Sequence, residues 1–115
     1  MSNNNINITT INELKEILED DIFSLFQEFR SNAADIIKKL KSAADNNNTN
    51  DVLHLAHTIK GSSGNLGLKN ISDISQQIET SLRLQDETDI ASLISKLETS
   101  ITSTLAELTE MELLK

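Results

Sequence analysis

Apolar residues recur every three or four positions along most of this chain, and no proline interrupts them. Proline inside a helix removes a backbone hydrogen bond and clashes with the preceding turn. Glycine there costs about 1 kcal/mol relative to alanine. A 115-residue chain with no proline and only three glycines can therefore sustain long helices. No stretch shows the strict apolar-polar alternation of a half-buried strand.

The stripes place five helices. Thr10, with Glu13 three residues later, reads as a capping box for a short helix from about Ile11 to Leu18. The acidic Glu19-Asp20-Asp21 suits the positive end of the next helix dipole. A second helix from about Asp21 to Ala44 carries Ile22, Leu25, Phe26, Phe29, Ala33, Ile36, Ile37 and Leu40 on one face. A polar loop over 45–50 ends at Asn50, an expected N-cap, before a third helix from about Asp51 to Leu66. Asn70 is the expected cap of a fourth, about Ile71 to Leu84, and a fifth spans about Asp89 to Leu113. Four long amphipathic helices with short connections predict an all-α fold, an antiparallel up-and-down four-helix bundle. The short first helix covers one end. Residues 1–9, rich in asparagine, read as a disordered polar tail, leaving 10–115 as one domain.

All three glycines fall in one segment, His57-Thr58-Ile59-Lys60-Gly61-Ser62-Ser63-Gly64-Asn65-Leu66-Gly67. At about 100° per residue, His57, Gly61 and Gly64 share a helix face with Lys60 at its edge. His57 lies about 140° from the inward Val52 on the same wheel, so it points away from the core. The glycines remove side chains around the imidazole, and the lysine adds a cation one turn away. Gly67 is a natural helix stop. A neutral imidazole is a nucleophile near pH 7, and an adjacent ammonium can steady the oxygens of a phosphoryl group.

This segment resembles the signature of histidine-containing phosphotransfer (HPt) domains, H-x-x-K-G-x-x-x-x-x-G after a small residue, here Ala56. The helical pattern on both sides extends the likeness over nearly the whole chain. The resemblance implies a phosphocarrier of a multistep His–Asp phosphorelay. His57 is then the phosphoacceptor, taking its phosphoryl group from a receiver-domain aspartate and passing it to another receiver. Lys60 stabilises the phosphate, and Gly61, Gly64 and Gly67 keep the face open to the partner. The implied partners are receiver domains of a hybrid sensor histidine kinase and of a downstream regulator. No nucleotide site is implied, and Mg²⁺ belongs to the receiver, so the chain itself needs no cofactor and is not an enzyme. Some relatives place a glutamine on the following helix to support the histidine. The corresponding position here is Glu79, a carboxylate that can accept a ring N–H but would repel phosphate. Gln76 and Arg83 lie on the same face as further supporting candidates. Leu14, Ile17 and Phe23 are candidates for an apolar docking patch, since receivers offer an apolar helix to such bundles.

Other readings fit less well. The formal charge of −8 opposes a general nucleic-acid binder, which needs a basic face. Gly61, Gly64 and Gly67 are followed by no Gly-Lys-Ser/Thr, so they do not make a P-loop. Their Gly-x-x-Gly spacing lacks the strands and basic groove of a KH module. Asp51, His54 and His57 spread too far around the helix to share a metal. His54, without a following Lys-Gly, reads as a surface residue. No apolar run reaches the length of a membrane span, and no secretory signal is visible at the start. The expectation is a monomeric, cytoplasmic protein. The competing functional class is an HPt-like adaptor that binds a receiver or kinase without accepting phosphate.

Overall fold

A computed structural model describes residues 5–115. Five α-helices follow one another: α1 (Ile8–Leu18), α2 (Ile22–Asp45), α3 (Thr49–Asn65), α4 (Lys69–Arg83) and α5 (Ile90–Glu110). A single 3-10 turn, Glu19–Asp21, joins α1 to α2. No strand occurs among the described residues.

The long helices close a ring: α2 packs on α3, α3 on α4, α4 on α5, and α5 back on α2. Their apolar stripes meet inside it. Phe26 and Leu40 of α2, Ile59 of α3, Ile71 and Ile78 of α4, and Leu97 and Leu108 of α5 are fully buried. Each such side chain contributes about 1.5–3 kcal/mol by leaving water. The α3–α4 seam is the most extensive, and small residues line it. Ser63 and Ser75 are fully buried there, each donating its hydroxyl to the carbonyl one turn back, Ile59 at 2.6 Å and Ile71 at 2.7 Å. This satisfies the hydroxyls internally and lets the helices approach closely.

Several helix ends fall elsewhere than the sequence predicts. The cap of α1 is Asn7, not Thr10: its Oδ1 accepts from the Thr9 and Thr10 amides at 3.1 and 3.3 Å. Asn7 is held there by its own amide, which donates to the Gly67 carbonyl at 2.7 Å. The expected polar tail is correspondingly shorter. Ile6 packs against the core, Asn5 donates to Ser103 Oγ at 3.0 Å, and Ile8 and Thr9 are helical. The remainder of that tail, 1–4, lies outside the described residues. Asn48 rather than Asn50 caps α3, accepting from the Asp51 amide at 3.2 Å. Asn70 caps nothing; it sits inside α4 and donates to Ser100 Oγ of α5 at 2.8 Å.

The stops share one device. Asn47, Gln85 and Glu112 adopt positive φ after α2, α4 and α5, as Gly67 does after α3. In each case the next amide reaches back five residues: Asn48 to Ala43, Leu68 to Ser63, Asp86 to Ser81, and Leu113 to Leu108. That is the left-handed closure of a helix C-terminus, made three times by residues other than glycine. The last one ends α5 at Glu110, short of the predicted Leu113, and folds Leu113 and Leu114 into the core.

Candidate functional site

Midway along α3, His57 projects from the bundle with 62 % of its side chain exposed. Opposite it, on α4, stands Glu79, whose side chain is only 3 % exposed. Glu79 Oε1 lies 3.0 Å from His57 Nδ1 and 3.0 Å from Lys60 Nζ. Its other oxygen, Oε2, accepts from Arg83 Nη2 at 3.1 Å and Nε at 3.3 Å. Lys60 Nζ also donates to Gln76 Oε1 at 3.2 Å, and Gln76 Nε2 donates to Thr80 Oγ1 at 3.0 Å. One buried carboxylate thus gathers three basic side chains from two helices.

The electrostatics follow from burial. Removal from water disfavours the charged carboxylate and by itself would raise its pKa. The hydrogen bonds from Lys60, His57 and Arg83 outweigh that penalty, and Glu79 is lowered to about 2. It is ionised at neutral pH and can only accept. The proton between Glu79 and His57 must therefore sit on Nδ1. The lone pair of the neutral ring is then on Nε2, the atom left for attack on an electrophile. Glu79 selects the tautomer and fixes the ring plane, as an orienting carboxylate does for a catalytic histidine.

The three glycines do different work. A Cβ on Gly61 would meet nothing within 4 Å, so the packing of the fold does not require glycine there. A Cβ on Gly64 would lie 3.2 Å from Ser72 Oγ of α4. Ser72 uses that closeness to donate to the Lys60 carbonyl at 3.1 Å, pinning the turn that carries Lys60. Gly64, which is solvent-exposed, therefore also serves the close α3–α4 seam. Gly67 is buried, has φ +75°, and would place a Cβ 2.9 Å from Thr10. It ends α3 and seats the start of α1.

The predicted support on α4 is assembled: Gln76, Glu79 and Arg83 all join the network. The predicted docking residues lie on α1 (Leu14, Ile17) and at the start of α2 (Phe23). Leu14 and Phe23 are half-buried against the core, Phe23 under the Lys115 ammonium 5.5 Å from its ring centroid. Ile17 is exposed. Among the helices, α1 packs only on the 3-10 turn and α2, so Leu14 and Ile17 do not touch the His57 turn. Sequence reasoning missed Ser72 and Thr80, which carry no local signal; only the packing of α4 on α3 gives them a role. Among the described residues, no cluster of three or more His, Asp or Glu could hold a metal ion. No helix is long and apolar enough there to cross a membrane.

An all-helical ring with an exposed, tautomer-selected histidine beside a lysine defines a domain class. The Hpt domain family model matches residues 24–110, and the chain belongs to that family. Membership gives it a phosphotransfer role in phosphorelay signalling, as a carrier rather than an enzyme, with receiver domains as the partners of its family. The fold is that of a solved structure, the crystal structure of histidine-containing phosphotransfer protein B (HptB) from Pseudomonas aeruginosa PAO1, with a TM-score of 0.91. The two chains are 21 % identical over 96 % of each. No curated protein matches the sequence.

Proposed function

We propose that this protein is a phosphocarrier whose acceptor atom is His57 Nε2. The observation that carries this reading is the contact between His57 Nδ1 and the ionised, buried Glu79, which in the neutral tautomer puts the proton on Nδ1 and the lone pair on the exposed Nε2. The lone pair of Nε2 attacks the phosphorus of an aspartyl phosphate on a receiver. The P–O bond to the aspartate breaks, and its electron pair leaves with the carboxylate. The ring keeps its Nδ1 proton and so becomes cationic as the N–P bond forms. Glu79 lies against that developing charge, and Lys60 can swing from Glu79 and Gln76 to the phosphoryl oxygens. Phosphoryl transfer depends chiefly on alignment and charge stabilisation of this kind. The net charge of the supporting groups, Lys60 and Arg83 against Glu79, is positive, which offsets the repulsion between Glu79 and phosphate.

In this reading the long helices run up and down antiparallel and α1 covers one end. The donor is the receiver of a hybrid sensor kinase, the recipient is a downstream regulator, Mg²⁺ resides on those receivers, and the chain works as a cytoplasmic monomer. The test is transfer of labelled phosphate from a panel of phosphorylated receiver domains to the purified protein and to His57→Gln. Acid-labile, base-stable label on the wild type alone, with a ³¹P resonance of Nε2-phosphohistidine, supports the assignment. Label retained by His57→Gln overturns it. Binding of a receiver with no label on the wild type would favour the phosphorylation-independent adaptor.

A further inference from the structure

Arg83 makes no hydrogen bond to the ring of His57 or the ammonium of Lys60; its side chain is 61 % exposed and its guanidinium donates only to Glu79 Oε2. The two oxygens of Glu79 are thus divided. Oε1 serves His57 and Lys60, the groups that change charge or partner during transfer. Oε2 serves Arg83 alone. These three are the charged groups that face the carboxylate, two from α3 and one from its own helix.

The division matters once phosphate arrives. A dianionic phosphoryl group on Nε2 competes with Glu79 for the Lys60 ammonium. When Lys60 moves, the buried carboxylate loses one of its donors while a second anion appears nearby. Both changes favour protonation or rotation of Glu79. Either would take the acceptor away from the Nδ1–H and free the ring to turn. A donor on the opposite oxygen, one that does not leave, prevents this.

Resting on the phosphocarrier reading, we infer that Arg83 is a positioning residue that holds Glu79 ionised and aimed at His57 Nδ1 after Lys60 has transferred to the phosphoryl group. It therefore acts on the phosphorylated state more than on the free one, where Lys60 still shares the load. Arginine suits the task because its guanidinium stays charged at all working pH values and offers two N–H groups to one oxygen here.

The experiment uses the full chain, ¹⁵N-labelled on histidine, phosphorylated with phosphoramidate so that no receiver is involved. Wild type, Arg83→Met and Arg83→Lys are compared by the His57 ring nitrogen shifts and by solvent exchange of the Nδ1 proton, before and after phosphorylation. In the free protein the Nδ1–H tautomer should persist in all three. In the phosphorylated protein, Arg83→Met should exchange the Nδ1 proton about threefold to tenfold faster than wild type, the loss of one charge-assisted bond discounted for exposure. Arg83→Lys should recover most of that difference. Equal exchange in phosphorylated wild type and Arg83→Met overturns the inference. So does a loss of the Nδ1–H tautomer in free Arg83→Met as large as in the phosphorylated form, which would make Arg83 a general support of the fold. A wild type that takes no phosphate under conditions that phosphorylate a reference HPt domain overturns the carrier reading itself, and this inference with it. That outcome is distinct because it precedes any comparison among the variants.

Discussion

His54 and His57 sit one turn apart on α3, and both face solvent. Their surroundings separate them. His57 has a buried carboxylate at hydrogen-bond distance from Nδ1. His54 borders a shallow groove lined by Lys39, Ser42, Asn46 and Asp51, and among the described residues no hydrogen bond fixes its ring; Thr58 Oγ1 donates to its backbone carbonyl. Exposure alone makes an imidazole accessible. A buried acceptor that is ionised at neutral pH, on one ring nitrogen, is what makes the other nitrogen a defined nucleophile. The difference originates on α4, not on the helix that carries the histidines.

The largest expected effect breaks that comparison outright. His57→Gln should abolish phosphate uptake, whereas His54→Gln should stay within about twofold of wild type, the range expected of a surface residue outside the network. Circular dichroism should show both folded. Comparable loss in the two variants would erase the distinction drawn here.

Acid titration sharpens it next. Glu79 is lowered from 4.5 to about 2 in the folded protein. A depressed carboxylate contributes stability that is complete above the unfolded pKa and disappears as pH falls through the folded one. The contribution, on the order of 3 kcal/mol, should therefore fade between about pH 4.5 and pH 2. Denaturant melts of wild type should weaken across that window, and those of Glu79→Gln should be flatter. Parallel slopes would remove Glu79 as the source. At neutral pH, Glu79→Gln should also lose the single ring tautomer, visible in the His57 nitrogen shifts.

The glycines give smaller effects of opposite sign. Gly67→Ala places a side chain at φ +75° and against Thr10, and should cost about 1–2 kcal/mol in urea denaturation. Gly61→Ala meets open space and should be neutral or stabilise α3 by up to about 1 kcal/mol. If Gly61 keeps the face clear for a partner, the same variant should slow transfer from a receiver while leaving phosphorylation by phosphoramidate unchanged. Slowing of both reactions would mean that Gly61 acts on the histidine itself.

Much of this molecule is legible locally. The apolar stripe of α2 predicts its buried face nearly residue for residue, because a helix repeats every 3.6 residues whatever surrounds it. The outward position of His57 and the neighbouring Lys60 follow from the same wheel. Helix ends are less legible. Thr10 and Asn50 are good caps by residue type, yet Asn7 and Asn48 win. Asn7 wins because Gly67, sixty residues later in the chain, binds its amide. Gln85 and Glu112 close helices in the left-handed region without the glycine that marks Gly67.

Sequence alone determined that the chain is helical, which faces turn inward, and which histidine, lysine and glycines form the phosphotransfer signature. Those properties depend on residue type and on spacing within a few turns. Tertiary structure alone decided that Glu79 is buried yet ionised, that it divides its oxygens between His57 and Lys60 on one side and Arg83 on the other, and that Gly67 is buried against the start of α1. A carboxylate read from spacing is a charge that repels phosphate. Its burial, its donors and hence its protonation state depend on what another helix brings within 3 Å, and no periodicity along a single helix encodes that distance.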